Sequence, residues 1–346
     1  MENKIKIGVI GLGMGRHHIR SFQEHPRAEV IAICDQDAER LKAAVQEYSV
    51  PQTYTDAETM FQKAGLDAVS IATPNVFHAP LTIKALQAGL HVLCEKPMAM
   101  TVKEAEKMNA VAKSTDKNLM INFSFRFIPA SFALKQQVEN GVMGNIYFGR
   151  TVWHRRRGMP RFGGWFGIKE MSGGGPLIDL GVHRLDLALW LMGYPDPVSV
   201  SGSAYGKIAP DLAQQQDKKF NVEDAACGLI KFGNGATLIL EASWALNQKD
   251  KELITTDLYG TKGGLHQYNI DNGYEFASEI YTEENNCLFT KKLDKTSIKV
   301  PPAYHEFINS ILENREPLAT AKEGIKVMKI LEGIYKSAET GKEIRY

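Results

Sequence analysis

The sequence predicts an α/β fold that opens on a doubly wound parallel sheet, and three observations predict it. A buried apolar strand (residues 4–10) runs into a glycine-rich turn, Gly11-Leu12-Gly13-Met14-Gly15, with a segment behind it able to open a helix. Short apolar strands then alternate with helical segments through residue 122, the rhythm of βαβ units whose right-handed crossovers build a parallel sheet. Further on, residues 173–193 (GGGPLIDLGVHRLDLALWLMG) read as a nearly all-apolar helix that still carries Asp179, His183 and Asp186 at i, i+4 and i+7, stacked on one face. Titratable groups on such a face must meet a partner, a ligand or water held in a cleft.

Length and composition bound the rest. A chain of 346 residues accommodates two ordinary domains. With 44% hydrophobic and 23% charged residues it reads as a globular protein with a sizeable core. Lys+Arg 41 against Asp+Glu 40 leaves a net charge of +1, so no global field draws nucleic acid or an anionic membrane, and the expected partner is a small molecule. Cys34, Cys94, Cys227 and Cys287 are scattered without metal-like spacing, the pattern of reduced thiols in a cytoplasmic protein. The N-terminus shows no secretory leader pattern. No apolar run approaches the roughly 20 residues that span a bilayer.

Taken in order, the glycine turn comes first. It lets the backbone approach a pyrophosphate, whose charge the N–H groups at the helix start stabilise. In G-x-G-x-x-G the third glycine would fall at Arg16. Gly15 stands one place early, which predicts a shorter turn with Gly11, Gly13, Met14 and Gly15 as the cofactor contacts. Residues 29–34 (EVIAIC) are the second strand, and Asp35 at its end is placed to bind ribose hydroxyls. A carboxylate there repels a 2′-phosphate, so NAD is expected over NADP. Capping the helix that begins at 37–40 is the alternative role for Asp35.

Residues 56–63 and 78–87 are predicted helices; 68–72, 91–94 and 119–122 are predicted strands. Thr101-Val102-Lys103-Glu104 is a capping box. Ligands on such sheets bind beyond the carboxyl ends of the strands, which places Thr73, Pro74, Asn75, His78, Glu95, Lys96 and Pro97 at the cofactor edge. Lys96 at a strand end can donate to a substrate oxygen and stabilise its alkoxide character. A surface Lys–Glu pair is the plain alternative.

The G-x-G turn, Glu95-Lys96-Pro97, and Gly173-Gly174-Gly175-Pro176 leading to Asp179 and His183 together resemble the glucose-fructose oxidoreductase / inositol dehydrogenase / MocA (Gfo/Idh/MocA) family, over essentially the whole chain. The resemblance implies an NAD(P)-dependent oxidoreductase acting on a secondary alcohol of a sugar, cyclitol or related polyol. It implies catalytic roles for Lys96, Asp179 and His183: His183 takes the hydroxyl proton, Lys96 holds the same oxygen, and Asp179 orients. It also implies a cis bond before Pro97. Within the same resemblance lie two other classes, an NAD-dependent glycosidase working by transient oxidation and a non-catalytic NAD(P)-sensing regulator.

The resemblance makes residues 1–123 a Rossmann domain and 124–346 an α/β domain with a largely antiparallel, open-faced sheet, whose C-terminal helices can pack back on the first domain. The sequence agrees, with strand-like enrichment at 146–154, 198–205, 225–232, 236–244 and 255–259, an Asn234-Gly235 hairpin turn, and helices at 304–314 and after the Thr320 capping box. A free sheet face predicts a homodimer or homotetramer. Residues 153–170 lack periodicity and are dense in Arg, Gly and aromatics, as in loops that shape substrate access. Arg126, Trp153, Arg156 and Trp165 are the candidate substrate residues, the arginines for anionic groups and the indoles for a sugar face. A solvated basic patch is the other reading of the loop. A cation held by Asp179, His183 and Asp186 is the weaker alternative, because Lys96 already supplies an electrophile; no metal is expected.

Overall fold

The structure, a computed structural model, describes residues 4–294 and 296–346. It divides into two compact units: Met1–Phe123 with Pro301–Met328, and Ser124–Val300 with Lys329–Tyr346.

In the first unit, strands β1 (Ile5–Ile10), β2 (Ala28–Cys34), β3 (Gln52–Tyr54), β4 (Ala68–Ile71), β5 (His91–Cys94) and β6 (Leu119–Ile121) form a parallel sheet in the order β3-β2-β1-β4-β5-β6. The order reverses at β1, so the ligand crevice of a doubly wound sheet lies at the carboxyl ends of β1 and β4. Ile7, Val9, Val69, Ile71, Val92 and Leu93 are fully buried, as strands covered on both faces must be. The helices begin where the polar side chains dictate. Asp37 caps Ala38–Tyr48, Asp56 caps Ala57–Lys63, and the Thr101/Glu104 box opens Val102–Thr115.

In the second unit, β7 (Ile146–Arg155), β8 (Pro197–Tyr205), β9 (Ala225–Phe232), β10 (Thr237–Ser243), β11 (Glu252–Gly260), β12 (Gly263–Asn269), β13 (Phe276–Glu284), β14 (Cys287–Lys292) and β15 (Ile344–Arg345) form one sheet. Its order is β14-β13-β12-β11-β7-β10-β9-β8-β15, and β7–β10 is its only parallel pairing among the described residues. The helix Val182–Leu191 packs on the inner face, with eight of its ten residues buried.

The stretch 173–193 is not one helix. A short helix, Lys169–Ser172, ends at Gly173, whose φ of 83° lies in the left-handed region. A π-helical turn, Leu177–Gly181, then leads into Val182–Leu191. The glycines before it are needed by the chain's own packing. A Cβ on Gly174 would lie 2.0 Å from the Tyr335 hydroxyl, and one on Gly175 would lie 2.1 Å from the Glu223 carbonyl oxygen. The Glu223 carboxylate accepts from the Gly175 and Leu177 N–H groups and from the Tyr335 hydroxyl, satisfying the donors that open the turn. What approaches this glycine run closely is the Glu223 backbone and the Tyr335 hydroxyl. Among the described residues, no helix is long and apolar enough to cross a membrane.

Candidate active site

The nucleotide end of the first unit is built by the turn after β1. Gly11 has φ 85°, and a Cβ there would sit 2.6 Å from the Ala72 carbonyl oxygen, so only glycine lets this turn close against the end of β4. A Cβ at Gly13 would meet nothing within 4 Å. The helix Gly15–Gln23 starts at Gly15 itself, its N–H bonded to the Gly11 carbonyl, and has neither a side-chain cap nor an acidic residue in its first turn. Open N–H groups at a helix start beside an unobstructed glycine fit a pyrophosphate. Asp35 completes the cradle: one carboxylate oxygen accepts from Leu12 N at 2.7 Å and the other from Asp37 N at 2.9 Å. Asp37, not Asp35, caps the helix that follows. These residues fit a dinucleotide.

Lys96 follows β5, and its bond to Pro97 is cis. Beside it, Glu95 is held from three directions. One oxygen accepts from Asn122 Nδ2 at 2.6 Å and contacts His18 Nε2 at 3.0 Å; the other accepts from Lys96 N at 3.1 Å. Burial alone would push this carboxyl up, but the His18 and Asn122 bonds, with the charges of His18 and Lys96, hold it down to about 2. Glu95 therefore fixes the backbone from which Lys96 projects. His78 was expected among the cofactor contacts and needs correction. It is 1% exposed, with Nδ1 at 2.7 Å from the Pro97 carbonyl and Nε2 at 2.9 Å from the Thr73 carbonyl. It ties the loop after β4 to the loop after β5 and has no ring nitrogen left for a nucleotide. Thr73, Pro74 and Asn75 lie at the end of β4 as expected, with Asn75 buried.

In the second unit, Asp179 lies on the π-helical turn and His183 on the first turn of the following helix. Asp179 Oδ2 accepts from Nε1 of the fully buried Trp244 at 3.1 Å. The His183 ring packs against Phe125 (centroids 5.0 Å) and Trp153 (5.8 Å), which meet each other edge-on at 5.3 Å, and Phe125 also meets Phe276 edge-on at 5.7 Å. This aromatic wall fixes the imidazole plane by packing. Under it, Arg184 is wholly buried, its guanidinium 5.7 Å from both Phe125 and Phe276 and bonded to Thr256, and burial pushes it down to about 9.

Two further expectations are corrected by their surroundings. Arg126 is not a substrate residue: it is 1% exposed and grips the buried Asp186 bidentately, Nε to Oδ2 at 2.9 Å and Nη2 to Oδ1 at 2.7 Å, with the Tyr194 hydroxyl closing the group. Asp186 thereby leaves the row it shares with Asp179 and His183, and the three-ligand cation site dissolves. Trp153, 3% exposed, donates its indole N–H to Glu252 at 2.7 Å and serves as wall, not as an open stacking face. Trp165 stacks on Phe166 (centroids 3.8 Å), and Arg156 is exposed on the loop.

Residues 5–123 match the profile of an oxidoreductase family with an NAD-binding Rossmann fold, and residues 132–266 match a GFO/IDH/MocA C-terminal domain. The chain is 33% identical over 357 aligned residues to a D-glucoside 3-dehydrogenase of Escherichia coli K12, covering 99% of this chain and 98% of that one.

The chain belongs to the Gfo/Idh/MocA family.

It is an NAD(P)-dependent oxidoreductase acting on CH–OH groups. Other Gfo/Idh/MocA relatives extend the match. A D-apiose dehydrogenase of Paraburkholderia graminis is 27% identical over 99% of this chain and 89% of its own length. An oxidoreductase domain protein from Kribbella flavida superposes with a TM-score of 0.88 at 25% identity, covering 99% of both chains. A levoglucosan dehydrogenase solved with NADH shares the fold, with a TM-score of 0.87 at 23% identity over 99% of both chains.

Sequence reasoning missed the supports of this family's motif residues. His18, Ser70, Asn122 and Tyr304 form the frame around Glu95. Trp244 holds Asp179, and Glu252 and Arg155 hold Trp153. One signal was available: Glu223 and Trp244, the latter in the strand-like stretch 236–244, are the residues that hold the π-helical turn.

Proposed function

We propose that this oxidoreductase oxidises a ring hydroxyl of a pyranose sugar, with a glucoside C3 hydroxyl the first candidate, and that it uses NAD in preference to NADP. The observation that carries this reading is the coexistence of the Lys96 loop with the Asp179–His183 turn in a chain aligned from end to end with a D-glucoside 3-dehydrogenase. NAD⁺, when bound at the Gly11–Gly15 turn, supplies the hydride acceptor. His183 accepts the hydroxyl proton, its plane held by Phe125 and Trp153. Lys96 donates to the same oxygen and favours its developing negative charge. Asp179, anchored by Trp244, orients the substrate or the imidazolium as it forms.

The NAD preference rests on Asp35, whose carboxylate stands against a 2′-phosphate, although Arg40 lies 3.9 Å from it with a side chain 58% exposed. The assembly we propose is a homo-oligomer through the outer face of the second sheet. There the Phe148–Tyr259 stack (5.6 Å) lies beside exposed Leu229 and Tyr281. The described cysteines are free, in keeping with a cytoplasmic location.

The test is absorbance of reduced nicotinamide with glucosides, free aldoses, anhydrosugars and inositols, each with NAD⁺ and NADP⁺. Reduction of NAD⁺ by glucosides above the other groups is expected. Reduction by none of them, or only by inositols, contradicts the substrate assignment; a higher kcat/KM with NADP⁺ contradicts the role of Asp35. Light scattering that finds only monomer contradicts the oligomer.

A further inference from the structure

The loop between β12 and β13 carries an aromatic ring in an unusual setting. Tyr274 is 56% exposed, yet the loop beneath it is fastened tightly. Asn272 Oδ1 accepts from Glu252 N at 3.0 Å, and Asn269 Oδ1 accepts from Ile254 N at 2.8 Å. Asn269 Nδ2 donates to the carbonyls of Glu252 and Gly273, and Ile270 N donates to the Glu275 carbonyl at 2.8 Å. Asp271 and Asn272 take the left-handed φ values (49° and 57°) that such short polar residues tolerate.

The ring itself is also fixed. Its hydroxyl receives Arg155 Nη2 at 2.8 Å and donates to Glu252 Oε1 at 3.1 Å. The same Glu252 oxygen accepts from Arg155 Nε at 2.8 Å and from Trp153 Nε1 at 2.7 Å. Scattered exposed aromatics are ordinary, but an exposed ring clamped by a half-buried ion pair is an oriented surface. Tyrosine held this way offers rigid contact area at little entropic cost.

Its position says what it faces. Trp153 packs against His183 at 5.8 Å and against Tyr274 at 6.1 Å, so a single ring separates Tyr274 from the proton acceptor. With the oxidised carbon at His183, Tyr274, the exposed ring of this chain of contacts, is left to meet whatever the sugar carries.

We infer that Tyr274 is a stacking platform for the aglycone, and that the enzyme's substrates are glycosides whose aglycone presents a flat aromatic face or a second pyranose. This rests on the sugar-oxidising reading above and adds the group beyond the oxidised ring. The Arg155–Glu252 pair positions the platform and offers charged partners to aglycone hydroxyls.

The experiment compares wild type, Tyr274→Ala and Tyr274→Phe, each loaded with NAD⁺, on methyl β-glucoside, 4-nitrophenyl β-glucoside and cellobiose. Tyr274→Ala is expected to raise KM for the nitrophenyl glucoside and cellobiose roughly 3- to 10-fold, the worth of one aromatic stacking contact. Its kcat stays within twofold, and methyl glucoside is unaffected. Tyr274→Phe keeps the ring but loses the hydroxyl that Arg155 and Glu252 hold, and is expected between wild type and Tyr274→Ala. Equal effects on all three substrates, or none on any, overturn the proposal. Calorimetric binding of the same glycosides separates the two readings. If wild type oxidises no sugar, the function assignment fails; the platform stands only if Tyr274→Ala weakens nitrophenyl glucoside binding and falls if affinity is unchanged.

Discussion

At the scale of single residues, the chemistry we propose rests on a few groups whose neighbours prepare them. Lys96→Met and His183→Ala should each lower kcat by about 10²- to 10⁴-fold, the usual worth of one positioned proton-transfer group. NAD⁺ affinity, read by fluorescence titration, should stay within a few-fold, since neither residue belongs to the glycine turn. Unchanged kcat in either variant removes that residue from the reaction. Asp186 plays a different part. Asp186→Ala leaves the Arg126 guanidinium buried without its carboxylate, and should cost about 3–5 kcal/mol of stability in chemical denaturation. A loss below 1 kcal/mol would mean that the pair is not what holds this core.

The titration of His91 gives stability a predictable pH dependence. Burial, with Lys117 nearby, pushes its imidazole down to about 4, and its Nδ1 accepts from Asn118 N at 3.0 Å, which requires the neutral ring. The folded chain thus binds fewer protons here than the unfolded chain, whose histidine titrates near 6.5. The contribution is complete above about pH 6.5 and is lost as pH falls toward 4. The Tm should therefore decline over that window, and His91→Gln should flatten the decline; an equally steep slope in the variant contradicts the assignment.

At the scale of elements, the π-helical turn Leu177–Gly181 carries the account. It is opened by Glu223 and anchored through Asp179 to Trp244, contacts that span 46 to 65 residues of sequence. Gly175→Ala should displace this turn, because its Cβ would meet backbone at 2.1 Å. We expect a lowered Tm and a reduced kcat in the protein that still folds at low temperature; wild-type kcat would show that the turn tolerates the shift. This element also marks how far the sequence could be read. The spacing of Asp179, His183 and Asp186 was visible, but spacing names a face and not what covers it, so the removal of Asp186 by Arg126 was not legible. Strands with β-branched and aromatic alternation, such as β9 and β10, were found within a residue or two. β12, β13 and β14 were not: β14 is exposed throughout and β13 at its outer end, so neither shows the apolar alternation that burial imposes. The Thr101 and Thr320 capping boxes were legible because their partners lie three residues on, whereas Asp37 and Asp56 were read as helical and prove to be the caps.

At the scale of the whole molecule, the family's two motif regions fall in different units. The parallel sheet places an uncapped helix, Asp35 and Lys96 at the carboxyl ends of its strands. The open sheet carries the His183 wall and the Tyr274 platform. The central claim is that Lys96 and His183 serve one hydroxyl. A crystal structure of the ternary complex with NADH and a bound glycoside tests it directly. The account predicts Lys96 Nζ and a His183 ring nitrogen both within about 3.2 Å of the same ring oxygen, beside the nicotinamide. Two nitrogens addressing different oxygens, or a glycoside bound away from His183, would contradict it.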